Sequence, residues 1–264
     1  MSPFLSILKA EIYKTLRYKE LYIFVFLPLI TVFLGYASWE GKTYEQYLSA
    51  VHSFKDKNPW IRYYQSIYLF SGLIYTLMIV AFTYISIDKE HTAKAWRYYF
   101  SLPYMDKYFL WIKQLVLVIA TFIMLQVHYI TIIIGGFITA HLNQGVPFDK
   151  FSPLYGLMWL VHFKFFLASL PIIAFQVWFN ALVEKKILIT IFLPIASWLT
   201  FFAYLPHNTI VWSFVRTFNF KFQKVTFVEN FQLLSEIEIF ALICLLIISG
   251  TGYFISPKII HKLA

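Results

Sequence analysis

The segment DKEHTAKAWRYYFSLPYMDKYFLWIK, residues 88–113, is a long charged interval that separates two long apolar runs in this chain. Residues 66–87 before it and residues 114–140 after it contain no Asp, Glu, Lys or Arg. An apolar run of about 20 residues is long enough for a helix to cross the hydrocarbon core of a bilayer. The segment therefore predicts a polar connection between two membrane-spanning helices.

The composition indicates that the rest of the chain is also membrane-embedded. Hydrophobic residues make up 60% and charged residues 13% of the 264 residues, unlike a soluble domain. An isolated segment in lipid satisfies its own backbone groups by forming a helix. We therefore predict an all-α integral membrane protein, a single domain over residues 1–264 with six transmembrane helices. The six charge-free runs are 21–38, 66–87, 114–140, 165–183, 187–206 and 239–257.

The basic residues predict the topology. The net charge of +9 does not collect in a soluble basic domain, which argues against a nucleic-acid partner. Lys and Arg instead flank the apolar runs. If successive runs cross a membrane in opposite directions, the side that holds the N-terminus carries more Lys and Arg than the other side. The positive-inside rule assigns that side to the cytoplasm, so we predict cytoplasmic N- and C-termini.

The first 19 residues carry apolar side chains at helical spacing. Phe4, Leu8, Ile12 and Leu16 share one face, which predicts an amphipathic helix over residues 2–19 that lies on the inner membrane surface. A simpler alternative is a basic flank that only sets the topology.

The segment 88–113 itself contains a helical pattern. Asp88 and Glu90 precede Lys94 and Arg97, an order of charges that suits the macrodipole of a short helix beginning at Asp88. Pro103 would end that helix, because the residue before a proline avoids helical dihedral angles.

Four polar residues fall in or near the apolar runs and are candidates for a substrate path. They are Gln126, His128, His162 and Lys164. Polar groups inside a membrane are costly and often functional, but a helix–helix hydrogen bond is the commoner use of a lone His or Gln. Lys164, at the predicted outer edge of a span, could instead extend its ammonium to the headgroups.

The long segment 205–236 is rich in aromatic residues. This composition predicts either short extracellular helices between the fifth and sixth spans or an interfacial aromatic belt, and the two interpretations are equally supported.

The sequence carries no recognisable catalytic or metal-binding motif. The chain has no paired carboxylates within a span, no His/Cys cluster at metal-ligand spacing and no hydrolase motif. We therefore predict no catalytic residues, no metal site and no enzymatic activity for this chain.

The pattern within residues 88–113 resembles that of type 2 ABC exporter permeases. Glu90 is followed by a basic residue, an aromatic stretch, Leu102-Pro103, a short polar turn and an aromatic run to Lys113. The N-terminal helix, with Glu11 and Lys14, resembles the elbow helix of the same family. The chain departs from the family at Thr92, where a glycine is common.

The resemblance implies a cytoplasmic coupling helix that docks on a separate ABC ATPase. By position, the docking residues would be Glu90, His91, Lys94, Trp96 and Arg97. It further implies two ATPase copies that bind ATP and Mg, a second permease subunit as homodimer or heterodimer, and the bacterial cytoplasmic membrane as location. Small permeases that expel antimicrobial peptides or lipophilic compounds, including lantibiotic-immunity permeases, have similar length.

A second hypothesis comes from a different functional class. The segment 88–113 could bind a cytoplasmic partner that is not an ATPase, which would make the chain a non-transporting membrane scaffold or sensor subunit.

Overall fold

A computed structural model describes residues 3–37, 58–93, 105–143, 146–182, 239 and 242–251 of the chain. The described residues are helical or lie in turns and caps, and no strand occurs among them. The helices are α1 (Pro3–Leu16), α2 (Lys19–Ala37), α3 (Pro59–Thr92), α4 (Met105–Leu142), α5 (Tyr155–Leu182) and α6 (Leu242–Thr251), with a 3-10 turn at Phe148–Lys150. The predicted all-helical class is confirmed over this part of the chain.

Two of these helices are long and apolar enough to cross a membrane by length and composition, at Phe109–Leu142 and Tyr155–Ala181. The number of six spans stays a prediction, because the run 187–206 and the aromatic segment 205–236 lie outside the described residues.

The start of α3 shows how local sequence sets a helix boundary. Pro59 occupies the first turn, where its missing N–H costs nothing. Asn58 precedes it as the N-cap, and its Oδ1 accepts a hydrogen bond from the Trp60 backbone N–H at 3.0 Å. The Asn58 Nδ2 also donates to the Ser152 carbonyl at 3.2 Å, which ties the helix start to the turn before α5.

The helices pack as a bundle with two apolar cores. Helix α5 packs against α3 and α4, α2 packs against the same two helices, and α1 packs against α4. One core fills the half of the bundle near Glu90, in the last turn of α3; its largest members include Tyr75, Met78, Phe82, Phe109, Leu117 and Trp178. The other core fills the end at which α3 begins; it includes Trp60, Tyr63, Tyr64, Ile67, Ile132, Phe148 and Met158.

Three aromatic side chains at the Trp60 end are buried with their polar atoms satisfied. Trp60 Nε1 donates to the Phe148 carbonyl at 3.1 Å, Tyr63 OH to the Ile132 carbonyl at 3.3 Å, and Tyr64 OH to the Pro153 carbonyl at 2.7 Å. These bonds fasten α3 to α4 and to the segment before α5. Buried Trp and Tyr need such partners, because an unpaired polar atom in an apolar core is costly.

Two predicted boundaries differ from the structure. Helix α5 begins at Tyr155, ten residues before the predicted span, so Lys164 lies within the helix and not at its edge. A short helix beginning at Asp88 is also wrong, because Asp88 to Thr92 form the last turn of α3. The helix continues because Ser86, Ile87 and Glu90 are buried against the bundle and their packing outweighs the unfavourable dipole.

Close packing at the Trp60 end depends on two glycines of α4. A Cβ atom at Gly135 would overlap the side chain of Val32, and one at Gly136 would overlap the ring of Trp60. We expect Gly136→Val to lower the free energy of unfolding by about 1–3 kcal/mol, the usual cost of overpacking. Thermal unfolding of the purified protein measures this, with Gly156→Ala as control, because a Cβ there meets nothing within 4 Å. Equal melting of the two variants would contradict the packing.

Candidate functional site

Four charged side chains from three helices meet beside the last turn of α3. Lys113 Nζ of α4 lies 2.5 Å from Glu11 Oε1 of α1 and 2.9 Å from Glu90 Oε1 of α3. Lys14 Nζ of α1 bonds Glu90 Oε1 and lies 3.5 Å from Glu11 Oε2. We call these four residues the ion cluster. Its two carboxylates and two ammonium groups sum to zero charge.

The ion cluster is shielded from solvent. The side chains of Lys113 and Glu90 are each 1% exposed and that of Glu11 is 5% exposed, whereas Lys14 is 30% exposed at the rim. A buried ammonium or carboxylate is tolerated when it is paired and hydrogen-bonded. Helices α3 and α4 each supply one charge, so separation of either from the other two helices would leave that charge unpaired, whereas α1 supplies both a carboxylate and an ammonium.

A second contact holds α1 near the end of α3. The ammonium of Lys89 lies over the ring of Tyr18 at 4.2 Å from its centroid, a cation–π geometry. The residues that follow α1 are thus fixed to the same turn of α3 that carries Glu90.

The structure describes two of the five predicted docking residues, Glu90 and His91. Glu90 is inside the ion cluster, so its carboxylate is not presented at the surface. His91 is half-buried, and its Nε2 lies 3.0 Å from the Asn180 carbonyl near the end of α5. Lys94, Trp96 and Arg97 lie outside the described residues, so their docking role stays a prediction.

Two of the predicted path residues form a pair. His128 of α4 and His162 of α5 are both 0% exposed, and His128 Nδ1 lies 3.0 Å from His162 Nε2. The predicted fourth span began at residue 165 and so excluded His162. The pairing of His162 with His128 could therefore not be predicted from the sequence. The pair joins the interior of α4 to the early part of α5, two turns after that helix begins.

The other two predicted path residues are placed differently. Gln126 is half-buried on α4, and its buried Nε2 has no hydrogen-bond partner among the residues that the structure describes. Lys164 is half-buried on α5, two residues beyond His162. The structure brings together His128 and His162, and the assignment of all four residues to a substrate path stays a prediction.

Sequence reasoning missed the ion cluster although its residues were visible. Glu11 and Lys14 are three residues apart on one helix, a spacing that places them on the same face. Glu90 and Lys113 bracket the connection between α3 and α4. Opposite charges such as Glu90 and Lys113, at the adjoining ends of two predicted spans, are a signal for a buried ion pair. The participation of α1 could not be identified without the tertiary structure.

Loss of a single charge should destabilise the bundle strongly. We expect Lys113→Met to lower the free energy of unfolding by about 3–5 kcal/mol, because it leaves two buried carboxylates to share the single, partly exposed ammonium of Lys14. The double variant Glu90→Gln/Lys113→Met should recover part of that loss. Thermal unfolding of the purified variants measures both effects.

The control for this prediction is Lys9→Met, which removes an exposed lysine from α1. If Lys113→Met melts no earlier than Lys9→Met, the ion cluster does not stabilise the bundle.

Comparison with known proteins supports a transport role. A family model described as ABC-2 family transporter protein matches residues 7–197, which include most of α1, all of α2 to α5 and the ion cluster. No curated protein and no solved structure matches the chain. Because the matched range covers most of the chain, the protein belongs to the ABC-2 family of transporters and is an integral membrane permease component.

Proposed function

We propose that this permease is the transmembrane subunit of an ATP-driven exporter that moves an amphipathic peptide or a lipid-like substrate. The observation that carries the proposal is the ion cluster, which joins α1 to the two helices that flank residues 94–104. A family whose transport is powered by ATP needs a mechanical connection between its ATPase and its spans. Residues 94–104 lie between those two helices in the sequence, and we assign the connection to them.

The ion cluster suits force transmission because its contacts are short, most of its side chains are buried and its charges sum to zero. Glu90 bonds charges from α1 and from α4, so a displacement at the end of α3 reaches both helices. Displacement of α3 or of α4 alone would strip its buried charge of all partners, which costs several kcal/mol, and Glu11 and Lys14 of α1 bond both of those charges. The three helices should therefore move as one unit.

This geometry changes the proposed role of Glu90. We assign docking on the ATPase to Lys94, Trp96 and Arg97, which lie between α3 and α4 in the sequence. A Trp beside an Arg is the residue combination found at the energetic centres of protein interfaces. Glu90 and Lys113 act as positioning residues that hold the two ends of the connection.

The assembly we propose contains two permease subunits and two cytoplasmic ABC ATPases. The second permease is a copy or a paralogue of this chain, and ATP and Mg bind to the ATPases alone. Each permease crosses the bacterial cytoplasmic membrane six times with both termini in the cytoplasm. Membrane lipids surround the exposed apolar faces of the helices.

The proposed substrate class follows from composition. Aromatic residues form 21% of the chain, and the segment 205–236 is especially rich in Phe. Side chains of this kind bind apolar chains and aromatic groups more readily than small ions. Peptides with a lipophilic face, or lipids, fit this chemistry.

The docking role is tested by co-purification with a cognate ATPase encoded next to this chain. We expect Trp96→Ala/Arg97→Ala to lose most of the bound ATPase, because loss of an interface anchor costs at least about 2 kcal/mol of binding. The matched control is Trp159→Ala/Lys150→Ala, which changes an exposed Trp and an exposed Lys elsewhere. Equal recovery of ATPase with both variants would refute docking at this segment, and a non-ATPase partner captured instead would favour the scaffold hypothesis.

The positioning role predicts a different phenotype. We expect Glu90→Gln to retain the ATPase in co-purification but to lower ATP hydrolysis by the reconstituted complex about tenfold or more, since coupled motion of α1, α3 and α4 is lost. Glu90→Asp, which keeps the charge, should recover part of the activity. Loss of the ATPase from Glu90→Gln, with intact folding, would return Glu90 to a direct docking role.

A further inference from the structure

Helix α1 turns polar side chains toward the bundle and large apolar side chains away from it. Glu11 and Thr15 are each 4% exposed, whereas Leu5 is 49% and Leu16 is 62% exposed. A surface helix of a soluble protein has the opposite arrangement, with its apolar face on the core. The outward side chains of α1 therefore require surroundings that are themselves apolar.

The connection to α2 fixes where this outward face lies. Helix α1 ends at Leu16 and α2 begins at Lys19, so only two residues join them. Residues 21–38, most of which belong to α2, form one of the predicted spans. A helix joined so closely to a span lies at the level where that span leaves the bilayer. The outward face of α1 is then within reach of lipid headgroups and the adjoining part of the acyl chains.

A basic stripe runs beside the exposed leucines. It consists of Lys9, Tyr13 and Arg17, which are spaced four residues apart and are all exposed. Side chains at this spacing lie on one face of a helix. The single carboxylate of α1, that of Glu11, is turned inward to Lys113 in the ion cluster. The charge that α1 presents outward is therefore positive.

The guanidinium of Arg17 is held in an orientation that suits an anion. It lies over the ring of Tyr13 at 4.3 Å from the centroid and donates a hydrogen bond to the Tyr13 hydroxyl. A guanidinium has five N–H donors in a planar fork that matches the oxygens of a phosphate. Tyrosine is also enriched where a membrane meets water. A phosphate next to apolar chains is the chemistry of a phospholipid.

We propose that Lys9 and Arg17 bind the headgroups of anionic phospholipids while Leu5 and Leu16 enter the acyl layer. Each basic residue near an anionic bilayer surface adds about fivefold to the affinity, whereas a zwitterionic lipid offers no net charge. The bound lipid holds α1 in the orientation that places Glu11 in the ion cluster. Lipid charge thereby contributes to the packing of α1 on α3 and α4.

An acidic protein is the competing occupant of this face. Such a protein would need acidic residues beside an apolar groove, because the basic stripe adjoins Leu5 and Leu16. It would also have to displace lipid from a helix that lies at the bilayer surface. An anionic bilayer supplies both chemistries at the right level, so it is the occupant that we assign.

The test is lipid binding by the purified full chain, measured by native mass spectrometry from detergent micelles. Phosphatidylglycerol and phosphatidylcholine with identical acyl chains are titrated separately. We expect phosphatidylglycerol to bind at least about tenfold more tightly, and Lys9→Gln/Arg17→Gln to lose most of that preference. In the matched single variants, Lys9→Gln should weaken phosphatidylglycerol binding about fivefold, and Lys150→Gln, which alters an exposed lysine outside α1, should leave it unchanged.

Two results would overturn the proposal. One is equal binding of the two lipids by the wild type, or a preference that survives in Lys9→Gln/Arg17→Gln. The other is loss of the ATPase from that variant in co-purification, which would assign the basic stripe to a protein partner. The lipid titration needs no ATPase, so its outcome is independent of the exporter proposal.

A second measurement tests the link between the lipid and the ion cluster. Phosphatidylglycerol should raise the melting temperature of the wild type, since it binds the folded bundle with α1 in place. Glu11→Gln should keep the lipid preference but lose most of this rise, because α1 then binds lipid whether or not the bundle is folded. An equal rise in Glu11→Gln and wild type would overturn the link.

Discussion

The burial of a lysine ammonium at the junction of three helices constrains this bundle more than any other described interaction. Lys113 is 1% exposed and carries a charge that cannot stay unpaired away from water. It obtains its counter-charges from α1 and α3, the helices on either side of it. Helix α1 is thereby held against the bundle although four of its large apolar side chains, Phe4, Leu5, Tyr13 and Leu16, are exposed.

The opposite end of the bundle is fixed by neutral interactions. Trp60, Tyr63 and Tyr64 donate hydrogen bonds to backbone carbonyls, and two glycines of α4 allow the aromatic rings to approach its backbone. Aromatic burial with satisfied polar atoms stabilises this end without any charge. The Trp60 end thus depends on the fit of its side chains, and the Glu90 end depends on charge balance. Substitutions that change side-chain volume should therefore destabilise the Trp60 end, and substitutions that change charge should destabilise the Glu90 end.

Between these ends, the hydrogen-bonded pair of His128 and His162 joins α4 to α5. Buried polar residues recur every seven positions on the antiparallel helices α4 and α5, and this spacing corresponds to two helical turns. On α4 they are Gln114, Thr121 and His128, and on α5 they are His162, Ser169 and Gln176. Gln114 also bonds Ser249 at 2.9 Å, which attaches α6. In a membrane such groups hold helices together, because lipid offers them no hydrogen bonds.

The sequence by itself determined the class of the protein, its helical nature and its family resemblance. Long charge-free runs in lipid have one way to satisfy their backbone, and the residues from Glu90 to Lys113 carry a recognisable order of charge, aromatics and Leu-Pro. It also singled out His128 and His162 as polar residues in or near apolar runs, whereas Glu11 and Lys14 entered only through the resemblance of the N-terminal helix to an elbow helix.

Only the tertiary structure decided which of these residues meet. Glu11 is 79 residues from Glu90 in the chain, and helical periodicity contains no information on which helix lies beside another. The pairing of His128 with His162 required α5 to begin at Tyr155, a boundary that hydropathy misplaced because Lys164 interrupts the apolar run. Helix α3 likewise continued through Asp88 because buried contacts and the partners of Glu90 outweighed the local charge pattern, a balance set by atoms distant in sequence.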